Sequence, residues 1–256
     1  MNRIDDYIAV FDSGVGGISV LKALQKLMPE ERYLYFGDSA NAPYGSRSTR
    51  EVRSLTLAAA EKLVSRGIKA LVVACNTATA AAITDLRQKY DDLIVIGIEP
   101  ALKLAADHFS GGRIGVMATE VTLREEKFEE LLHRFEDHCY VFKIPAPGLV
   151  ELVEQGKVND ADTRALLTRH LGAFAGKLDC LVLGCTHYPF ARDAIRQVLG
   201  ENTVLLHGGE GTARETKRRL AEAGLLRRGE GQILFENSSG DEAMIALCRR
   251  LLQSGE

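Results

Sequence analysis

Apolar positions along the chain follow two rhythms that take turns. Tyr7-Ile8-Ala9-Val10-Phe11 is a continuous apolar run of strand length, and after it Ile18, Leu21, Leu24, Leu27 and Met28 return at helical spacing. Val52, Leu55, Ala59 and Leu63 repeat the helical rhythm up to Gly67, a stop signal. Further strands are expected over residues 33–36, 70–74, 93–97, 113–118, 139–144, 179–184, 203–206 and 232–235, and a last helix over 241–252. Thr122-Leu123-Arg124-Glu125 predicts a capping box opening a helix. Runs without polar alternation suit strands buried on both faces, as in parallel sheets. Their alternation with helices predicts βαβ units and an α/β fold.

The pattern restarts midway. Ile8-Ala9-Val10-Phe11-Asp12-Ser13 resembles Ile114-Gly115-Val116-Met117-Ala118-Thr119, and Leu71-Val72-Val73-Ala74-Cys75-Asn76-Thr77 resembles Leu181-Val182-Leu183-Gly184-Cys185-Thr186-His187. The two offsets, 106 and 110 residues, are nearly equal, so both matches belong to one internal repeat. Ligands of open α/β sheets bind outside the carboxyl ends of the strands. Two halves related by a pseudo-two-fold axis would then each present one thiol to a shared cleft. The chain is expected to cross between halves near Glu99-Pro100 and again near His207-Gly208-Gly209.

Composition narrows the partners. At 256 residues the chain makes one large domain or two modest ones, and 46% apolar with 26% charged residues is ordinary for a globular protein. A net charge of −3 does not suit a nucleic-acid binder. Arg214, Lys217, Arg218, Arg219, Arg227 and Arg228 alternate with Glu215, Leu220 and Glu222, which predicts a solvated amphipathic helix instead. No apolar run approaches the ~18 residues of a membrane span, so no membrane partner is expected. The start, Met1-Asn2-Arg3-Ile4-Asp5-Asp6, lacks a signal-peptide apolar region, and a cytoplasmic location is expected. Five cysteines, an odd number thinly spread, do not form a disulfide framework.

Cys75 ends a strand and precedes a helix start, where the helix dipole lowers a thiol pKa. Cys185 also ends a strand, with Pro189 placed to open the next helix. Cys139, Cys180 and Cys248 sit in apolar patterns and are expected in the core. A disulfide switch is open, but nothing selects it. Zinc is poorly served, because only Cys185 and His187 are close and no tetrahedral set is completed. Acyl transfer from Cys185 with His187 as base leaves Cys75 unexplained. Two thiols on opposite sides of one carbon suit stereochemical inversion: one removes a proton and the other delivers one to the far face. Reacting atoms within ~3–3.5 Å place the sulfurs roughly 7 Å apart. The Gly-rich stretch Asp12–Gly17 fits neither nucleotide motif, but its backbone N–H groups at a helix start suit a carboxylate. Asp12 is a candidate to orient a substrate ammonium or assist a thiol. The polar loop over residues 37–45 lies where binding residues gather.

These segments are similar to those of the glutamate racemases in the cofactor-independent aspartate/glutamate racemase superfamily. The matching stretches are Phe11-Asp12-Ser13-Gly14-Val15-Gly16-Gly17, Gly37-Asp38 with Pro43-Tyr44-Gly45, Ala74-Cys75-Asn76-Thr77-Ala78, Ile98-Glu99-Pro100 and Leu183-Gly184-Cys185-Thr186-His187-Tyr188-Pro189. The resemblance implies interconversion of L- and D-glutamate without pyridoxal phosphate or metal, supplying D-glutamate for peptidoglycan. It implies two pseudo-symmetric α/β domains, residues 1–98 with 208–256 and residues 99–207. Cys75 and Cys185 fall on the two bases, Cys75 serving the D-isomer and Cys185 the L-isomer. The acidic helper from the middle of the family's chain falls on Glu154, while Asp12 and His187, titratable groups near opposite cysteines, are the catalytic candidates to depress one thiol pKa in turn. Substrate contacts fall on Asp12, Ser13, Tyr44, Gly45, Asn76, Thr77, Thr186 and His187. A homodimer stays open as the assembly. An aspartate racemase, and a two-lobed amino-acid binding protein without catalysis, remain alternatives, the latter tolerating Cys→Ser changes.

Overall fold

The structure, a computed structural model, describes residues 6–98, 101–124, 126–135 and 139–254. Among the described residues the strands are β1 Tyr7–Asp12, β2 Arg32–Gly37, β3 Ala70–Val73, β4 Ile94–Gly97, β5 Arg113–Ala118, β6 Tyr140–Pro145, β7 Cys180–Leu183, β8 Val204–His207 and β9 Gln232–Asn237. The helices between them are α1 Ile18–Leu27, α2 Thr49–Val64, α3 Asn76–Lys89, α4 Leu102–His108, α5 Glu120–Arg124 and α6 Glu126–His133. They continue with α7 Leu149–Glu154, α8 Ala161–Leu171, α9 Arg192–Leu199, α10 Gly209–Glu222 and α11 Glu242–Gln253.

Two parallel sheets result, ordered β4-β3-β1-β2-β9 and β6-β5-β7-β8. Read from the other edge, the second is β8-β7-β5-β6, the order of the first sheet without its fifth strand. The register agrees: Ile8 pairs with Ala70 where Ile114 pairs with Cys180, and Ala70 with Ile94 where Cys180 pairs with Val204. The repeat seen in the sequence is therefore a repeat of strand order and of residue pairing. Strand β1 is buried along its whole length, as a central parallel strand must be. Helix α10 returns from the second sheet to lie on α1. The Glu99-Pro100 crossing lies outside the described residues.

Local chemistry sets the helix starts. Ser48 and Glu51 form a full capping box at α2, and Asp160 and Asp241 cap α8 and α11. The capping box expected at Thr122 is not there. Thr122 lies inside α5, its N–H donates to Thr119 Oγ1 at 3.2 Å, and the helix begins at Glu120. Thr119, released from the strand one residue after β5, is in place to cap first; Glu125 lies outside the described residues.

One charge pair is buried beneath the first sheet. Lys69 Nζ lies 2.6 Å from Glu31 Oε2, and the two side chains are 7% and 2% exposed. Lys69 also donates to the Leu225 carbonyl at 2.8 Å, and Glu31 accepts the Arg227 N–H at 2.8 Å. The pair thus ties the strap between α10 and β9 to the sheet. Removing one partner strands the other in low dielectric, so Glu31→Gln should lower stability by about 3–5 kcal/mol in urea unfolding. A change under about 1 kcal/mol, the range of exposed pairs, would mean that water reaches Lys69.

Candidate active site

Both candidate thiols follow the same backbone device. Past β3, Ala74 N–H donates to the Phe11 carbonyl at 2.8 Å; past β7, Gly184 N–H donates to the Met117 carbonyl at 2.7 Å. Cys75 and Cys185 come next in each chain segment. They are 5% and 7% exposed, and both are free thiols. Their surroundings then part company.

Cys75 caps α3, its sulfur accepting the Ala78 N–H at 3.4 Å, while its thiol donates to Ser13 Oγ at 3.5 Å. Helix position, the Ala78 N–H and a Ser13 hydroxyl able to turn and donate to the thiolate pull its pKa down, as the sequence suggests. Burial, seconded by the charge of Asp12 and further by Cys185, outweighs them and pushes it up to about 12. The expected low-pKa thiol is therefore corrected at Cys75: it is held as a thiol. Cys185 is near enough to act on it electrostatically.

Cys185 Sγ lies 3.6 Å from His187 Nδ1, and His187 Nε2 lies 2.7 Å from Glu154 Oε1. Burial disfavours the imidazolium, but the hydrogen bonds and charges of Cys185 and Glu154 prevail and hold His187 well above the ordinary histidine range. As imidazolium it donates from both ring nitrogens and offers a positive charge to the Cys185 sulfur. Glu154 Oε1 also accepts the Val15 N–H at 2.8 Å, so the carboxylate of α7 is docked on the turn after β1.

Asp12, fully buried, spends both oxygens inside the protein. Oδ1 accepts the Gly14 N–H and Oδ2 the Thr186 hydroxyl, each at 2.9 Å. Burial raises its pKa, partly offset by His187 and these two bonds. The glycines of the turn have a different reason from the anion site expected of them. A Cβ on Gly14 would overlap the Glu154 carboxylate, and one on Gly16 would overlap Thr186 and the His187 ring. The turn is bare because side chains from beyond the second sheet lie on it.

The remaining candidates sit around the same place. Tyr44 donates to Asp38 Oδ2 at 2.6 Å, and Asn41 Nδ2 reaches both Asp38 oxygens at 3.1 Å, which fixes the loop carrying Gly45. Gly45 sits on Thr119, whose Cγ2 would be 2.8 Å from a Cβ there. Thr77 Oγ1 is 3.1 Å from Thr119 Oγ1 and 3.3 Å from Thr122 Oγ1. Among the described residues the buried Asn76 Oδ1 has no hydrogen-bond partner, an acceptor left for something else. Cys139, Cys180 and Cys248 are core residues, as expected. On α10, Arg218 bridges Glu215 and Glu222, and Arg214 lies 3.4 Å from Glu210, an acid-laced helix face. Among the described residues no three His, Cys, Asp or Glu side chains are placed to hold a metal ion.

Thr119, Thr122 and Ser19 also stand at the site, though the sequence did not single them out for it. The repeat carries a signal for two of them: Thr119 stands 106 residues after Ser13, and Thr122 stands 106 after Gly16. His187 in turn stands 110 after Thr77. Where one contact sets His187 against a bare Gly16, its counterpart sets small Thr77 against Thr122, so equivalent positions of the repeat differ in bulk. A cavity of about 550 Å³ lies behind the turn, lined by Ser19, Lys22, Phe190, Arg192, His207 and Leu251 among others, and neither thiol lines it.

Residues 18–216 match the family model described as Asp/Glu/hydantoin racemase. The glutamate racemase of Clostridium perfringens is 43% identical over 249 residues, 96% of each chain. Solved glutamate racemases share the architecture. That of Francisella tularensis, in complex with D-glutamate, superposes with a TM-score of 0.85 at 26% identity, covering 98% of this chain and 95% of that one. That of Escherichia coli, in complex with L-glutamate and the activator UDP-MurNAc-Ala, superposes with a TM-score of 0.84 at 30% identity, covering 97% and 96%. The chain belongs to the Asp/Glu/hydantoin racemase family and, within it, to the glutamate racemases.

Proposed function

We propose that the protein interconverts L- and D-glutamate by proton transfer between two cysteines, providing D-glutamate for peptidoglycan. The observation that carries this is the pair of thiols at equivalent strand ends, one kept protonated by burial beside Asp12 and the other set against the His187–Glu154 pair. Inversion needs that inequality: one sulfur must accept a proton while the other holds one to give.

With L-glutamate bound, Cys185 as thiolate takes the Cα proton, the charge passes to the Cα and its carboxylate, and Cys75 delivers its proton to the opposite face. The D-isomer leaves with Cys75 as thiolate and Cys185 as thiol, and proton exchange with water after product release restores the start. His187 and Glu154 stabilise the charge on the Cys185 side; Ser13 and the α3 N-terminus serve Cys75. The substrate carboxylates are held by neutral donors on Asn76 and Thr77 and by backbone N–H groups that include that of Thr186, whose hydroxyl is engaged with Asp12, and the unpaired Asn76 Oδ1 accepts from the ammonium. Preorganised donors of this kind are commonly the largest catalytic contribution. Tyr44 and Gly45 close the cleft against Thr119. The same reading divides the chain into one domain of residues 1–98 with 208–256 and another of 99–207, supported by α10 packing on α1.

Incubation in D₂O with each enantiomer of glutamate and aspartate, no cofactor added, tests it. Glutamate should exchange its Cα hydrogen and form its mirror image, with aspartate turned over at least about tenfold more slowly, the cost of losing one good polar contact. Binding without exchange would leave a binding protein, and faster exchange of aspartate would move the chain to the other substrate.

A further inference from the structure

Thr186 lies between Cys185 and His187, and its peptide is held from the opposite half of the protein. The Cys185 carbonyl accepts from Tyr188 N–H at 3.2 Å and the His187 carbonyl from Phe190 N–H at 3.2 Å. The Thr186 carbonyl accepts from the hydroxyl of Ser19 on α1, at 2.9 Å. The same hydroxyl is 2.9 Å from the Gly16 carbonyl, but that oxygen already receives the Ser19 N–H at 3.0 Å. A hydroxyl has one proton to give, and the carbonyl that depends on it is that of Thr186. Ser19 is buried. Because the Thr186 hydroxyl is bound to Asp12 at 2.9 Å, residue 186 is gripped at its side chain and at its carbonyl by two groups of the first half.

We propose that Ser19 is a positioning residue for the Cys185 face: its hydroxyl fixes the peptide between Cys185 and His187 and thereby the aim of the Cys185 thiol. The proposal deepens the two-thiol reading and rests on it. Proton transfer to carbon is sensitive to small displacements of the base, and a turn held by one hydroxyl fewer can rotate the sulfur without disturbing the sheets. Among the described residues Cys75 has no hydrogen bond to Ser19 and is reached only indirectly, through Thr186 and Asp12, so the larger effect falls on the Cys185 face.

Ser19→Ala and Ser19→Thr test this, the threonine keeping the hydroxyl at a position that borders a cavity. Iodoacetamide labelling, followed peptide by peptide, needs no turnover. In the alanine variant the Cys185 labelling rate should change by about fivefold or more and that of Cys75 by less than about twofold, as expected from losing one hydrogen bond at one thiol. In turnover, kcat/KM should fall about tenfold, one hydrogen bond's worth. The Cα-deuterium isotope effect should rise for L-glutamate and fall for D-glutamate, because transfer at Cys185 becomes limiting. The threonine variant should restore both ratios. A merely structural serine would lower the melting temperature and leave both ratios at wild-type values, and a folded alanine variant with those values overturns the proposal. If the wild type does not exchange the Cα hydrogen of glutamate, the two-thiol reading fails by itself, while the labelling ratio still decides what Ser19 holds.

Discussion

Cys75→Ser and Cys185→Ser should each lose racemisation by on the order of 10³-fold or more, since a serine hydroxyl is far too weak a base to replace a thiolate. The loss should leave a handed remainder. A serine can still present a proton, so each variant keeps the half-reaction that starts at its surviving cysteine. Glutamate analogues with a good leaving group reveal that half-reaction as elimination. With Cys185 facing the L-isomer and Cys75 the D-isomer, Cys75→Ser should eliminate only from the L-analogue and Cys185→Ser only from the D-analogue. Equal loss for both enantiomers in either variant would sink the two-face mechanism in favour of a single mobile base. Opposite preferences would keep two faces and exchange their assignment. The surroundings add a ranking: the Cys185 half-reaction, with His187 and Glu154 intact, should remain the faster of the two near neutral pH.

Gly14→Ala should damage activity more than stability. Gly14 is not in the left-handed region, so alanine meets no backbone penalty. What it meets is the Glu154 carboxylate, the far end of a side chain that can swing aside. Swinging aside breaks the bonds to Val15 N–H and His187 Nε2 together. Loss of an orienting carboxylate typically costs 10–100-fold, and about 10²-fold in kcat is expected here. The pH profile gives the sign. In the wild type the folded-state pKa of His187 lies above its unfolded value, so its stabilisation is complete below the unfolded pKa and fades as pH rises through the folded one. In the variant, burial acts on His187 with less opposition and its pKa falls. The alkaline limb of activity should move to lower pH, and the stability gap to wild type should be widest at acid pH and narrow on the alkaline side. Glu154→Gln, which keeps the shape and removes the charge, should show the same displacement. An unmoved alkaline limb in both variants would count against His187 as the cation beside Cys185.

The strands were legible because a buried parallel strand has no polar face to interrupt it, as Tyr7–Asp12 shows, and their ends shifted by only a residue or two. The thiols were legible for a different reason: repetition at fixed offset marks them against cysteines that merely fill space, such as Cys180. The sign of the Cys75 shift was not legible, because a helix N-terminus is local while burial beside Asp12 exists only once the sheets are assembled. Nor was the reason for Gly14 and Gly16, whose missing side chains answer to Glu154, Thr186 and His187, all of them more than a hundred residues away. Ser19 is a polar position beside the apolar stripe of α1, and the sequence sets nothing opposite it. Its partner is a backbone carbonyl, which every residue has, so no pattern of side chains could disclose it.

The difference in bulk between Gly16–His187 and Thr122–Thr77 reaches into how the protein would handle the two isomers in a cell. L- and D-glutamate have equal free energy in water, so the ratio of kcat/KM in the two directions is pinned at unity whatever the protein does. Nothing pins kcat and KM separately. A cleft with mirror-like faces would bind and turn over both isomers alike; one with a charged relay on one side and hydroxyls on the other holds one isomer more tightly and releases it more slowly. Such a protein saturates with one isomer at concentrations where it still responds in proportion to the other. The direction in which it works hardest is then set by supply and withdrawal of the two pools, with the equilibrium itself untouched.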